Sequence, residues 1–169
     1  MSTNPLMAEW NQMRNPAYTS FLSWQMACGY EEAKHPASFM PIGLLFVGVP
    51  LLLNGLVRGV AASTQLRTGI EGFVRNLNDC APDLRGSLFS QMQDSRGICC
   101  QGLATGCRYG LLSIEHGKLI ALRKADLTVK DQRVLGGTIT QDARAARKLG
   151  SWFAMVGPRE LELLFNMEF

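Results

Sequence analysis

The sequence predicts an α+β chain, mostly α, with a winged helix-turn-helix-like core: helices plus a β-hairpin wing, clasped by N- and C-terminal helices. Apolar residues recur at helical spacing before residue 80, switch to two short runs around a glycine-containing turn near residue 117, and return to helical spacing beyond residue 140. Helices followed directly by a hairpin, over residues 63–123, are the element order of a winged helix. The expected organisation is one domain over 1–169. It comprises a flexible N-terminus at 1–14, an N-terminal helix and apolar segment at 15–62, a winged-helix-like unit at 63–123, a loop at 124–139 and C-terminal helices at 140–169.

Asn15 suits a helix cap and Pro16 a first helical position, while Tyr18, Phe21, Leu22, Gln25 and Cys28 share one stripe with a single polar interruption. A helix is expected over about 15–33 on that pattern. Trp24 lies off the stripe, so a second face of this helix needs a cover. The run Phe39 to Val57, FMPIGLLFVGVPLLLNGLV, carries no charge, the usual first sign of a transmembrane span. Its strictly apolar part, Phe39 to Leu53, would measure about 22 Å as a helix, short of a roughly 30 Å hydrocarbon core. Pro41 and Pro50 also interrupt a continuous helix. The expectation is a broken segment turned at Pro50 and buried between the first helix and the winged unit, with no membrane anchor.

Ser63 or Thr64 is the expected cap of a helix carrying Leu66, Ile70, Phe73, Val74 and Leu77. CAPDLRGSLFSQMQDS reads as a short helix after Pro82, and RGICCQGLATGCRYG as another ending near Gly110. LLSIEHGKLIALR is a hairpin signal in which Gly117 supplies a positive φ. The mixed polarity of 124–139 and its Gly136-Gly137 pair predict a loop. Ala145, Leu149, Trp152, Phe153 and Val156 then return to helical spacing up to Gly157-Pro158, and PRELELLF starts a short last helix.

Charged residues make up 18% of the chain, on the low side for a globular domain, which suggests buried surface beyond an ordinary core. The net charge of +3 is too small for a dedicated nucleic-acid binder. MSTNPLMAEW lacks the features of a signal peptide, so the five cysteines are expected as reduced thiols in the cytoplasm.

No catalytic, cofactor or metal site is expected. Glu32 and His35 have helical i, i+3 spacing, but a carboxylate-bridged metal site needs a second copy and two more carboxylates. Cys99, Cys100 and Cys107 complete no zinc spacing and read as small apolar residues. Neither GxxxxGK[ST] nor GxGxxG occurs. The candidate partner or DNA contacts are Arg96, Gln101 and Arg108 on the third helix of the winged unit, Lys118 in the wing, and Arg144, Arg147 and Lys148 near the C-terminus. Arg123, Lys124, Lys130 and Arg133 could add to a weak basic face. Small residues between Arg96 and Arg108 favour close protein packing over a major-groove contact, which draws on phosphate attraction.

NPAYTSFLSWQMACGYEEAK, GVPLLLN, YGLLSIEHGKL and ARKLGSWFAMVG occur in that order over most of residues 15–157. The ordered set resembles the middle component of prokaryotic ABC-three-component conflict or antiphage systems. That resemblance implies a cytoplasmic, non-enzymatic adaptor with a winged-helix-containing fold. Its partners would be an ABC-type ATPase related to chromosome-maintenance ATPases and a third, effector or sensor component. DNA would be met indirectly through the complex, with no membrane and no small-molecule substrate. The GICCQGLATGC helix is unusually rich in small residues for that family. The alternatives from other classes are a winged-helix DNA-binding regulator and a small membrane-anchored protein.

Overall fold

Helix α1 (Pro16–Ala33) begins where its capping residues place it. The protein is described here from a computed structural model, which covers residues 15–34, 38–122 and 129–165. Asn15 Oδ1 accepts from the backbone N–H of Ala17 at 2.9 Å and of Tyr18 at 3.4 Å, satisfying two orphan donors of the first turn. The apolar stripe enters the core, and so do the polar residues beside it: Thr19, Ser20, Ser23 and Gln25 are all buried. Trp24 packs against the core from the other side, so α1 is surrounded rather than amphipathic.

The apolar segment is broken, at a different residue from the one expected. After a two-residue strand, β1 (Met40–Pro41), helix α2 (Ile42–Leu53) runs straight through Pro50, and helix α3 (Gly55–Ser63) leaves it at a 98° bend. The turn falls at Asn54. Its backbone is extended and its side chain accepts from Leu56 N–H at 3.1 Å and Val57 N–H at 3.3 Å. A capping side chain of this kind stabilises a helix start by about 1 kcal/mol, whereas Pro50 only removes one donor from a helix whose neighbouring side chains are buried.

Thr64 does not cap the next helix either. It closes α3, its hydroxyl donating to Val60 carbonyl at 2.8 Å, and a 3-10 turn (Leu66–Thr68) intervenes before α4 (Gly69–Cys80). The two helices expected over 82–110 are one 25-residue helix, α5 (Leu84–Arg108). Met92 and Ile98 pack against the core on either side of the junction at Ser95, and Cys99, Gly102, Leu103 and Gly106 carry the buried face onward. Strands β2 (Leu112–Glu115) and β3 (Lys118–Ala121) then form the wing, paired antiparallel from Leu112↔Ala121 to Glu115↔Lys118. His116 (φ 50°) and Gly117 (φ 72°) both take the left-handed conformation, as the two-residue hairpin turn requires.

β1 joins the other edge of β3, giving the order β1-β3-β2, and ties the apolar segment to the wing. Beyond β1 a side chain continues the pairing: Glu31 Oε1 accepts from Ala121 N–H at 2.8 Å. Helix α6 (Val129–Met155) contradicts the expected loop over its last eleven residues, since it passes through Gly136 and Gly137; residues 123–128 lie outside the described part. Each glycine costs about 1 kcal/mol in a helix interior, which a 27-residue helix packed along α1 can offset. Helix α7 (Pro158–Phe165) follows. The result is mostly helical, with a small antiparallel wing on a winged-helix-like core flanked by N- and C-terminal helices.

α1 lies between α5 and α6, and glycines set both distances. A Cβ on Gly29 would collide with the Arg147 backbone, and one on Gly150 with the Met26 carbonyl, so α1 and α6 touch backbone to backbone. On the other flank Gly102 of α5 leaves room only for Thr19 and the Ser20 backbone of α1, while Gly106 makes room for Leu112 of the wing and the Ser20 hydroxyl. The bend is fixed to this stack by one buried polar cluster. Arg58 Nη1 donates to the Leu52 carbonyl at 2.8 Å, its Nε pairs with Asp142 of α6 at 2.7 Å, and the Tyr18 hydroxyl donates to the other Asp142 oxygen at 2.7 Å.

Both side chains of the ion pair are largely buried, at 12% and 5% exposure. Arg58→Ala would strand the Asp142 carboxylate and is expected to lower stability by about 3–5 kcal/mol. Replacing both partners, Arg58→Met with Asp142→Leu, should recover most of that loss. Urea unfolding of the two variants measures the difference.

Candidate functional site

The described surface offers contact faces rather than a reaction centre. Over Arg96 to Arg108, at about 100° per residue, Arg96, Gly97, Cys100, Gln101, Ala104, Cys107 and Arg108 fall within an arc of about 140° and all are exposed. Small residues fill the middle of that arc, and the two guanidinium groups mark its ends. Neither Arg96 nor Arg108 has an ion pair among the described residues. A Cβ on Gly97 would meet nothing within 4 Å, in contrast to Gly102 and Gly106 on the inner face of the same helix. The small residues that stood out in the sequence therefore divide in two: one set faces the core, and the other faces outward, exposed among the described residues.

Tyr109, 68% exposed, stands at the C-terminal cap of α5, and the chain turns there into the wing. Lys118 is exposed at the base of the hairpin turn and pairs in register with Glu115. The other sequence-derived candidates lie elsewhere. Arg144 is exposed on α6, but Arg147 Nη2 donates to Glu32 at 2.8 Å. Lys148 Nζ donates to the carbonyls of Ala62 at 2.6 Å and Thr64 at 2.8 Å, clamping the C-terminal end of α3 where helix carbonyls lack partners. Burial first, then Arg144 one turn away, pull the Lys148 ammonium below its ordinary pKa. Arg123 and Lys124 lie outside the described residues. The seven candidates thus form no single basic face: Arg96, Gln101 and Arg108 share α5, and the last two of the seven serve packing.

Sequence reasoning missed Arg58, Asp142, Tyr18 and Glu31, whose partners are 84 or more positions away except where Arg58 meets its own bend. Only the isolation of Arg58 in an uncharged stretch signalled it. No group of three His, Cys, Asp or Glu among the described residues could hold a metal, and Glu32 is engaged by Arg147, while His35 lies outside them. No single described helix is long and apolar enough to cross a membrane; α2 and α3 pass that test only when taken together across their bend.

The family model described as ABC-three component (ABC-3C) system Middle Component 3 matches residues 3–164. Neither a curated protein nor a solved structure matches the chain.

The thiols give a direct check on α5. Cys99 is buried and Cys100 exposed, and burial, with Cys100 adding to it, pushes the Cys99 thiol up to about 12. Titration of the native protein with a thiol reagent should modify Cys80, Cys100 and Cys107 while sparing Cys28 and Cys99. Denaturant should release the remaining two. Cys99 also keeps its proton in the folded chain through a range where the unfolded thiol, at 9.0, has lost it. Its contribution to stability is whole below pH 9 and falls as pH rises toward 12.

Proposed function

The chain belongs to the Middle Component 3 family of ABC-three-component systems, a non-enzymatic adaptor between an ABC ATPase and an effector component of a defence system, and we propose that it docks one of these two through the outer face of α5 and the adjoining wing. The observation that carries this reading is the division of α5. Its inner glycines are consumed against α1, while Gly97, Cys100, Ala104 and Cys107 face outward between two arginines with no ion pair among the described residues. Small side chains admit a partner helix to close range, and the flanking guanidinium groups of Arg96 and Arg108 suit carboxylates at its edges. Gln101 and Lys118 extend the face toward the wing. Arg144 stands apart on α6, and Arg147 and Lys148 contribute through packing.

In this reading the protein works in the cytoplasm, needs no cofactor, and meets DNA only through the assembled complex. Four uncharged small residues between two arginines provide few phosphate contacts, and such contacts dominate nucleic-acid affinity.

Ala104→Arg is exposed on α5 and should change stability by less than about 0.5 kcal/mol. It should weaken co-purification with one of the two partner proteins by more than about tenfold, because a bulky cation would stand in the centre of a close contact. An Ala104→Arg protein that retains both partners at wild-type affinity would refute this assignment of the face. Duplex DNA titrated at low salt should show no measurable binding to the isolated chain.

A further inference from the structure

Asn54, the residue at the bend between α2 and α3, is the chain's one asparagine followed by glycine. In such a pair the glycine backbone nitrogen attacks the asparagine Cγ. A new N–Cγ bond closes a five-membered succinimide, the Cγ–Nδ2 bond breaks, and the leaving nitrogen takes up the glycine amide proton and departs as ammonia. Solvent water then opens the ring at either carbonyl, giving aspartate or an isoaspartate whose main chain runs through Cγ. Glycine favours closure because no Cβ crowds its nitrogen and its backbone turns freely. We infer that Asn54 is a site of spontaneous deamidation which the α3 cap holds shut, so that opening of the bend sets the rate.

The carboxamide is held at both ends. Oδ1 accepts from Leu56 N–H at 3.1 Å and from Val57 N–H at 3.3 Å, and Nδ2 donates to Gln91 Oε1 at 3.5 Å. Gly55 is the first residue of α3, so the helix that follows fixes its nitrogen. Turning Cγ onto that nitrogen breaks the cap, and the start of α3 with it. Arg58 adds a second restraint: Nη1 donates to the Leu52 carbonyl at 2.8 Å, just before the bend, and Nε pairs with Asp142 at 2.7 Å. Asn54 and Gly55 are only half-buried, so water reaches the pair once the cap is open.

The two products are unequal at this position. An aspartate at 54 offers a carboxylate to the same two N–H groups, and a negative charge suits the start of a helix. An isoaspartate inserts one more carbon into the main chain between residues 54 and 55. That insertion moves the start of α3 relative to α2, so the extended Asn54 backbone, the cap and the Arg58 contacts on both sides of the bend are no longer matched. One opening of the bend can therefore be recorded as a lasting change in the chain.

The test follows residue 54 of the purified full chain by peptide mass spectrometry, resolving asparagine, succinimide, aspartate and isoaspartate during incubation at one pH and temperature. Chain unfolded in urea should convert at Asn54, and native chain at least about tenfold more slowly, because reaction then waits on local opening. Arg58→Ala, and wild type in urea below its unfolding transition, should both convert faster than native wild type. If Arg58→Ala fails to fold, the urea series carries the test. Native chain that converts as fast as unfolded chain would overturn the inference, as would unfolded chain that keeps Asn54 intact. A native rate unmoved by low urea would overturn it too, because protection would then not come from the bend.

Discussion

Close backbone contact along α1 is the constraint on which the rest of the structure depends. Gly29 and Gly150 bring α1 and α6 to touching distance, and Gly102 lets α5 close on Thr19 and the Ser20 backbone on the other flank. Any side chain at these positions would push a helix away and open the core over its whole length, because interiors pack as densely as crystals and relax only partly. The polar groups follow from that proximity. Ser151 donates to the Gly29 carbonyl at 2.9 Å, and Tyr18 reaches Asp142, only because the two helices are so close. Asp142 then holds Arg58, Arg58 holds the end of α2, and the bend that exposes α3 is set.

That chain of dependence also explains the surface. Arg58, Arg147 and Lys148 look from their sequence positions like free cations, and each is spent on an internal contact: a carboxylate, a second carboxylate, and a pair of helix-terminal carbonyls. What remains outward includes surface low in charge, among it the α5 face between its two flanking arginines. For a member of a three-component family that stands in the middle, such surfaces fit protein contacts better than a polyanion.

Local signals were legible in the sequence where the physics is local. Asn15 and Pro16 set the start of α1, and Gly117 placed the hairpin turn, because capping and positive φ act within a few residues. Periodicity placed the hairpin after helices, but the two helices read over 82–110 are the single helix α5. What was misread turned on competition between signals. Pro50 is the stronger breaker on paper, yet Asn54 wins because it can satisfy the next helix's N–H groups. Gly136 and Gly137 suggested a loop, but a long helix packed on α1 overrides their weak propensity. The pairing of β1 with β3, and the engagement of Lys148 with α3, depend on partners 77 to 86 positions away, which no local pattern can carry. The candidate site was half legible: the small residues of α5 stood out, but which of them faced inward did not.

The central claim is that one enclosed helix, α1, holds α5 so that its small outer residues stand open to a partner protein. A structure of the chain in complex with both its ATPase and its third component tests this most directly. The account predicts that the α5 face is covered by one of them while α1 stays enclosed between α5 and α6. An α5 face that neither partner touches, or α5 parted from α1 in the complex, would contradict it.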